Sequence, residues 1–228
     1  MCSRYMLTSP AEAVRAHFAH HNEVAFPPRA NIAPTQPIGI IRLTPKLERS
    51  FELVRWGLIP PWVKDPKAFT TLINARSETA FEKPSFRAAM KYRRCLIPTD
   101  GFYEWTGPKG AKQPHLITRQ TNAPFAFAGI FEQWMGADGS EMDSAAILTT
   151  AANPAVEAIH DRMPVLLHEA DFETWLDPGL NDKAGRAALE PLLKPWPQDD
   201  LTITAVDPAI NRSRDSDAQP VPLQRKLI

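Results

Sequence analysis

The sequence predicts an α+β protein: one compact domain with an antiparallel, barrel-like sheet at its core and short helices around it. Three observations carry this. Short apolar, β-rich runs recur along the whole chain, with only a few short helical stretches between them. The 228 residues are 43% hydrophobic, enough for one sizeable core. No repeat, low-complexity segment or linker divides them. Residues 1–210 are therefore read as one domain, and residues 211–228 as a polar tail that is either disordered or folded back on it.

The elements follow in order. Residues 3–8 suit a short strand. Ser9-Pro10-Ala11-Glu12 reads as a helix start, with Ser9 as N-cap, Pro10 at N1 and Glu12 closing a capping box, and the helix runs to about His20. The Pro- and Asn-rich stretch 26–35 reads as a long functional loop. Residues 37–44 and 51–58 form a hairpin. Ser77 is placed as the N-cap of a short helix, and a second short helix starts near Pro84. Residues 94–106 read as strand, turn and strand, and 113–119 as a further strand. Phe125 to Trp134 is almost entirely apolar and reads as a central strand buried on both faces. Ala137-Asp138-Gly139-Ser140 turns it into a partner at 143–150. Asn153-Pro154 caps a short helix, 164–167 is a strand, 169–176 and 181–193 are helical, and 201–206 is the last strand.

Charge and cysteine usage narrow the function classes. With 26 basic and 26 acidic residues the formal net charge is zero, which argues against a polycation that coats nucleic acid and leaves room for a local basic groove. The two cysteines, Cys2 and Cys95, are far apart without metal-ligand spacing. No disulfide framework, metal centre or cofactor is expected, and the compartment is reducing. Cys95, in an apolar run, reads as an inert buried thiol. There is no apolar signal-peptide core, and no stretch approaches the roughly 20 apolar residues that span a bilayer. The expectation is a cytosolic protein, monomeric by default, with no membrane partner.

Cys2 is the first candidate for chemistry. Trimming of Met1 is expected and would expose an amine and a thiol two carbons apart. Such a 1,2-aminothiol condenses with an aldehyde to a Schiff base and closes to a thiazolidine. Ordinary values of about 7.7–8.0 for the amine and about 8.5 for the thiol put both nucleophilic forms within reach near neutral pH. Glu104 lies inside Phe-Tyr-Glu-Trp; among aromatics its carboxyl would be raised toward a general acid, and otherwise it simply alternates outward. His160, followed by Asp161 and Arg162, is either structural or a group whose tautomer its neighbours fix. Trp62, beyond two prolines, is a packing lid or an exposed surface on which a base stacks. Lys83, Arg87, Lys91, Arg93 and Arg94 are a solvated face, or a phosphate-contacting one if they line a cleft.

Several segments, taken together, resemble the SOS-response-associated peptidase (SRAP) family of abasic-site shielding proteins. They are Met1-Cys2-Ser3-Arg4, Asn31-Ile32-Ala33-Pro34-Thr35, Arg55 to Pro60, Ile73 to Thr79, Arg94 to Pro98, Gly101-Phe102-Tyr103-Glu104-Trp105 and Ile159 to Pro164. They run in family order to about residue 206. The resemblance implies covalent capture of abasic sites in single-stranded DNA. Cys2 would be the nucleophile. Asn74 would orient the N-terminus or contact the sugar, and Glu104 and His160 would be the acid–base groups. Arg4, Arg76 and Arg162 would hold phosphate, and Trp62 would face the DNA. Ser3 departs from the family's usual Gly, and would strain the site if φ > 0 were needed there. Two other functions use the same residues: a thiol (auto)peptidase of the N-terminal-nucleophile type, whose one substrate might be the Met1 leader, and a noncovalent reader of damaged single-stranded DNA.

Overall fold

The apolar runs pair into two sheets, described for residues 2–212 and 219–223 of this computed structural model. β1 (Tyr5–Leu7) leads from Cys2, followed by α1 (Ala11–Phe18), β2 (Arg29–Ile32), β3 (Pro37–Leu43) and β4 (Arg49–Trp56). Then come β5 (Asn74–Arg76), α2 (Ser77–Ala80), α3 (Arg87–Tyr92), β6 (Arg94–Thr99), β7 (Gly101–Thr106), β8 (Gln113–Arg119), β9 (Phe125–Met135) and β10 (Glu141–Ala151). α4 (Pro154–Glu157), β11 (Arg162–Pro164), β12 (Leu166–Leu167), α5 (Phe172–Leu176), α6 (Lys183–Leu189) and β13 (Leu201–Ala205) complete the order.

Five strands close a ring. β3 pairs with β4, β4 with β10, β10 with β9, β9 with β6, and β6 returns to β3. Only the β4–β10 contact is parallel. Closure leaves these strands no free edge, and their inward side chains fill the core. β9 is buried without interruption from Phe125 to Glu132, as its apolar run predicts. The second sheet has the order β13-β8-β7-β1-β2. Tyr5 of this sheet packs edge-on against Trp56 and Phe127 of the barrel, with ring centroids 5.3 and 5.6 Å apart. The fold is thus the α+β, barrel-cored one that the sequence predicts.

The strand, turn and strand expected over 94–106 are present as β6, Asp100 and β7, with the two strands in different sheets. Several local expectations are corrected. The Asp100 carboxylate accepts the Thr8 and Ser9 N–H groups at 2.5 and 2.6 Å and their hydroxyls at 3.1 and 2.7 Å. Ser9 therefore closes no capping box; Pro10 occupies the N-cap of α1 without a side-chain bond, and the helix stops at Phe18. A hydroxyl bonded to a carboxylate outcompetes one bonded to a neutral amide. The loop expected over 26–35 contains β2, an edge strand with Ile32 opposite Tyr5. Its Pro and Asn content hid the strand. Ser77 is the first residue of α2 rather than its cap. Asn153 does cap α4, accepting the Val156 N–H at 2.9 Å.

The basic cluster at 83–94 is divided. Arg94 is buried and donates to the carbonyls of Met90, Lys91, Trp175 and Asp177. Arg93 pairs with the buried Glu132 at 2.7 Å. Only Lys83, Arg87 and Lys91 remain exposed. Past β13, Val206 bridges to Pro222, and the Leu223 N–H donates to the Ala205 carbonyl at 3.0 Å. Met1, Arg214, Arg225 and Lys226 lie outside the described residues. No helix among the described residues is long and apolar enough to cross a membrane.

Asp100 holds the first strand to the crossover, so Asp100→Ala should cost roughly 2–4 kcal/mol, given that hydrogen bonds to a charged group are each worth ~1.5–3 kcal/mol. Urea unfolding measures this, with Asp100→Asn expected in between. A loss below about 1 kcal/mol in the Ala variant would contradict the role given to this carboxylate.

Candidate active site

Cys2 sits where the two sheets meet. β1 carries it from the second sheet, and its carbonyl accepts the Asn74 side-chain amide at 2.8 Å. Asn74 belongs to β5, which pairs in parallel with β10 beyond the stretch that β4 occupies. Its other side-chain atom, Oδ1, is buried without a hydrogen-bond partner among the described residues. An acceptor is therefore open beside the chain terminus.

The Cys2 thiol is fully buried and lies 3.7 Å from the Arg4 carbonyl, to which it donates. Burial pushes its pKa well up, and the nearby Glu104 charge pushes it further. This corrects the expectation of an accessible thiolate near neutral pH: the resting group is the neutral thiol. Ser3 is not among the residues with positive φ, so serine fits the third position without backbone strain.

Glu104, on β7, is 2% exposed. Burial pushes its carboxyl up to about 7; the positive amino terminus pulls against that, and Asp161 adds to it. The sheet thus turns Glu104 inward, on the face of β7 that also carries Phe102. His160 follows α4. Its Nδ1 accepts the Arg162 backbone N–H at 2.9 Å, which leaves the proton of the neutral ring on Nε2. Asp161 Oδ1 also lies 2.9 Å from Nδ1 and favours the cation, but that carboxylate is 85% exposed and well solvated. Burial and the amino terminus prevail and lower the His160 pKa.

The arginines have different employments. Arg4 donates to Asn31 Oδ1 at 2.7 Å and to the Ile210 carbonyl at 3.0 Å, with its guanidinium 5.9 Å from the Trp105 ring centroid. Arg162 makes a two-pronged pair with Glu78 at 2.5 and 2.9 Å and reaches the Thr149 carbonyl at 2.6 Å. Its fork is filled by protein. Arg76 is exposed and lies two residues after Asn74 on β5, hence on the same face. It makes no ion pair among the described residues. Trp62 is 57% exposed in the loop after β4 and packs edge-on against Phe69, 5.7 Å between centroids.

Cys2, Asn74, Glu104 and His160 thus come together around the amino terminus, with Arg4 following directly in the chain. Trp62 stands on its own loop, and Arg162 is occupied by Glu78. Sequence reasoning missed two contributors. Asn31 braces Arg4, although it lies in a segment singled out for its motif. Lys112 lines a 490 Å³ cavity with Ser3, Arg4, Trp105, Gly110 and Asn211, and its charge reaches His160. Nothing local marks a lysine after a turn as part of a site. Among the described residues, no three His, Cys, Asp or Glu side chains group as a metal-ligand set.

Comparison with known proteins identifies a family. The family model described as SOS response associated peptidase (SRAP) matches residues 1–213. The chain is 39% identical over 221 residues to the abasic site processing protein YoqW of Bacillus subtilis, covering 95% of this chain and 96% of that one. It is 33% identical over 194 residues to the mouse abasic site processing protein HMCES, covering 72% of this chain and 54% of that one. Crystal structures of proteins from Bacteroides thetaiotaomicron and Bordetella bronchiseptica superpose with TM-scores of 0.81 and 0.77. Their identities are 27% and 32%, and the matches cover 92% and 90% of this chain and 99% and 100% of theirs. The in-order motifs, the fold and these matches give one answer: the chain belongs to the SRAP family.

Proposed function

We propose that this protein captures abasic sites in single-stranded DNA covalently through Cys2, shielding the lesion from strand cleavage. One observation carries the reading: the Cys2 carbonyl is held by Asn74 at 2.8 Å, and the buried Glu104 carboxyl is close enough for its charge to act on the Cys2 thiol. The abasic site processing relatives support the same substrate. Action as a monomer in the cytosol is part of the proposal.

The chemistry balances on these groups. With Met1 removed, the α-amine belongs to Cys2. Protonated Glu104 gives its proton to the ring oxygen of the closed sugar as the aldehyde is released, and takes back the proton of the anomeric hydroxyl. The amine attacks C1′; the carbinolamine then loses its hydroxyl as water on a proton from Glu104, with His160 Nε2–H hydrogen-bonding the departing oxygen, which leaves a protonated imine and the Glu104 carboxylate. The open Asn74 Oδ1 accepts an N–H and orients the lone pair. The neutral thiol adds its sulfur to C1′ of the protonated imine and passes its proton to the Glu104 carboxylate. Aldehyde and aminothiol thus become thiazolidine and water. Ring closure removes the imine that would acidify the C2′ protons and expel the 3′ phosphate. Arg4 and Arg76 are proposed to face the DNA backbone, and Trp62 to stack on or wedge beside a base. Amide cleavage by a peptidase asks for a thiolate, which burial of Cys2 disfavours. Capture asks only that the amine attack first.

The first experiment is intact-protein mass spectrometry of Met1-free protein mixed with a single-stranded oligonucleotide carrying one abasic site. The expected result is a stable gain equal to the oligonucleotide less one water, without borohydride. An unmodified protein with Cys2 confirmed as its free terminus would refute the proposal. Cys2→Ala should abolish this adduct and keep salt-sensitive single-strand binding. Loss of all DNA affinity in that variant would show that Cys2 is not separable from the binding surface.

The rate should depend on pH as a bell. Capture needs protonated Glu104, pKa about 7, and a free amine, ordinarily about 7.7–8.0, so the maximum falls between about 7 and 8. Glu104→Gln should slow capture ~100-fold or more and remove the alkaline limb. An alkaline limb persisting in that variant would assign it to another group. Stability carries the same titration. The folded state holds the Glu104 proton more tightly than the unfolded chain, so unfolding free energy should fall as pH rises from about 4.5 to about 7. Urea titrations at each pH should show that slope reduced in Glu104→Gln.

A further inference from the structure

Two groups lie 2.9 Å from His160 Nδ1, and they favour different states of the ring. The Arg162 backbone N–H donates to Nδ1, which requires that nitrogen to be bare and leaves the proton on Nε2. The Asp161 carboxylate can only accept, so its contact requires Nδ1–H and leaves Nε2 bare in the neutral ring. Only the first state supplies the Nε2–H that the departing carbinolamine oxygen needs. Burial, the positive amino terminus and Lys112 disfavour the imidazolium, so the choice lies between the two neutral tautomers. Asp161 is an exposed side chain that can turn to solvent. The tautomer therefore depends on how firmly the Arg162 N–H is held in place.

The strand alone holds it weakly. β11 is three residues long, and Arg162 is its first residue, paired with Ala151 at the very end of β10. The side chain supplies the anchor. Its guanidinium reaches the Thr149 carbonyl at 2.6 Å and takes both carboxylate oxygens of Glu78, at 2.5 and 2.9 Å. Such a two-pronged pair fixes direction as well as distance. The Arg162 side chain is only 13% exposed, so water cannot replace that carboxylate fully. Glu78 stands on α2, which continues directly from β5, four residues after Asn74. One segment thus holds the Cys2 carbonyl through Asn74 and the His160 turn through Glu78. We propose that Glu78 is a positioning residue for capture: through Arg162 it keeps the backbone N–H on His160 Nδ1, and so keeps the Nε2–H tautomer that donates to the departing oxygen. Glu78 itself meets no reacting atom. The proposal rests on the capture reading above and names what sets one of its donors.

The tautomer is read directly by nitrogen-15 NMR of histidine-labelled protein at about pH 8, above the ordinary histidine range. The His160 signals are assigned by their loss in His160→Gln. Wild type should show Nε2 protonated and Nδ1 bare, and Glu78→Ala should move the ring toward Nδ1–H. An unchanged tautomer in that variant would overturn the proposal. Single-turnover capture at saturating DNA gives the second readout. Glu78→Ala should lower the maximal rate roughly tenfold. Its affinity for a single strand carrying a tetrahydrofuran abasic analogue should fall by less than about twofold, because no phosphate contact is removed. Equal losses of rate and affinity would mark a binding or folding role instead and would also overturn it. The double variant with Arg162→Gln should be no slower than Arg162→Gln alone; losses that multiply would show that Glu78 does not act through Arg162. Glu78 is half-exposed, and should the Ala variant fail to fold, Glu78→Gln keeps one acceptor for Arg162 and should show the same changes in smaller degree. Failure of the capture reading is distinct: wild type would form no adduct with a true abasic strand while the His160 tautomer still responded to Glu78.

Discussion

The Asn74 amide donates to the Cys2 carbonyl at 2.8 Å, and the position of everything reactive follows from that bond. Chain termini are ordinarily frayed. Here Tyr5, three residues on, is locked between Trp56 and Phe127. Asp100 fastens Thr8 and Ser9 beyond it. The short first strand is therefore pinned at both ends, by the barrel and by the crossover between sheets. A reactive group on the last residue of a chain needs such anchoring, because a misplacement of one ångström removes most of the advantage of proximity.

The same anchoring sets the electrostatics. Carrying Cys2 and Glu104 into the junction disfavours both anions, so the thiol stays neutral and the carboxyl titrates near neutral pH. Two acids that share one environment in this way can pass a proton between them with little change in charge. His160, held neutral by burial and by the positive terminus, completes the set as a donor through Nε2. A site of neutral groups is also one that an uncharged aldehyde enters without displacing a tightly held counter-ion.

Cations are apportioned with comparable economy. Arg94 ties α3 to the residues around α5, Arg93 neutralises a buried carboxylate, and Arg162 is clamped by Glu78. Each looks like a phosphate ligand when met in sequence, because a guanidinium suits carbonyls, carboxylates and phosphates equally. Arg76 on β5 and Lys112, just before β8, instead make no ion pair among the described residues.

The strand and helix order was legible because periodicity and apolar content report burial locally. The uninterrupted run of β9, the β3–β4 hairpin and the Asn153 cap all read correctly for that reason. β2 was obscured by its prolines and asparagines, and the Ser9 cap was lost to a carboxylate 91 residues away. At the site, Cys2, Asn74, Glu104 and His160 stood out through unusual residue chemistry and the resemblance of their motifs to a family. The sequence by itself determined which groups can react. Only the tertiary structure decided the state of each: a thiol kept protonated, a carboxyl raised to about 7, an arginine already engaged. Protonation and pairing depend on desolvation and on neighbours brought from distant strands, and neither is encoded in any local stretch of chain.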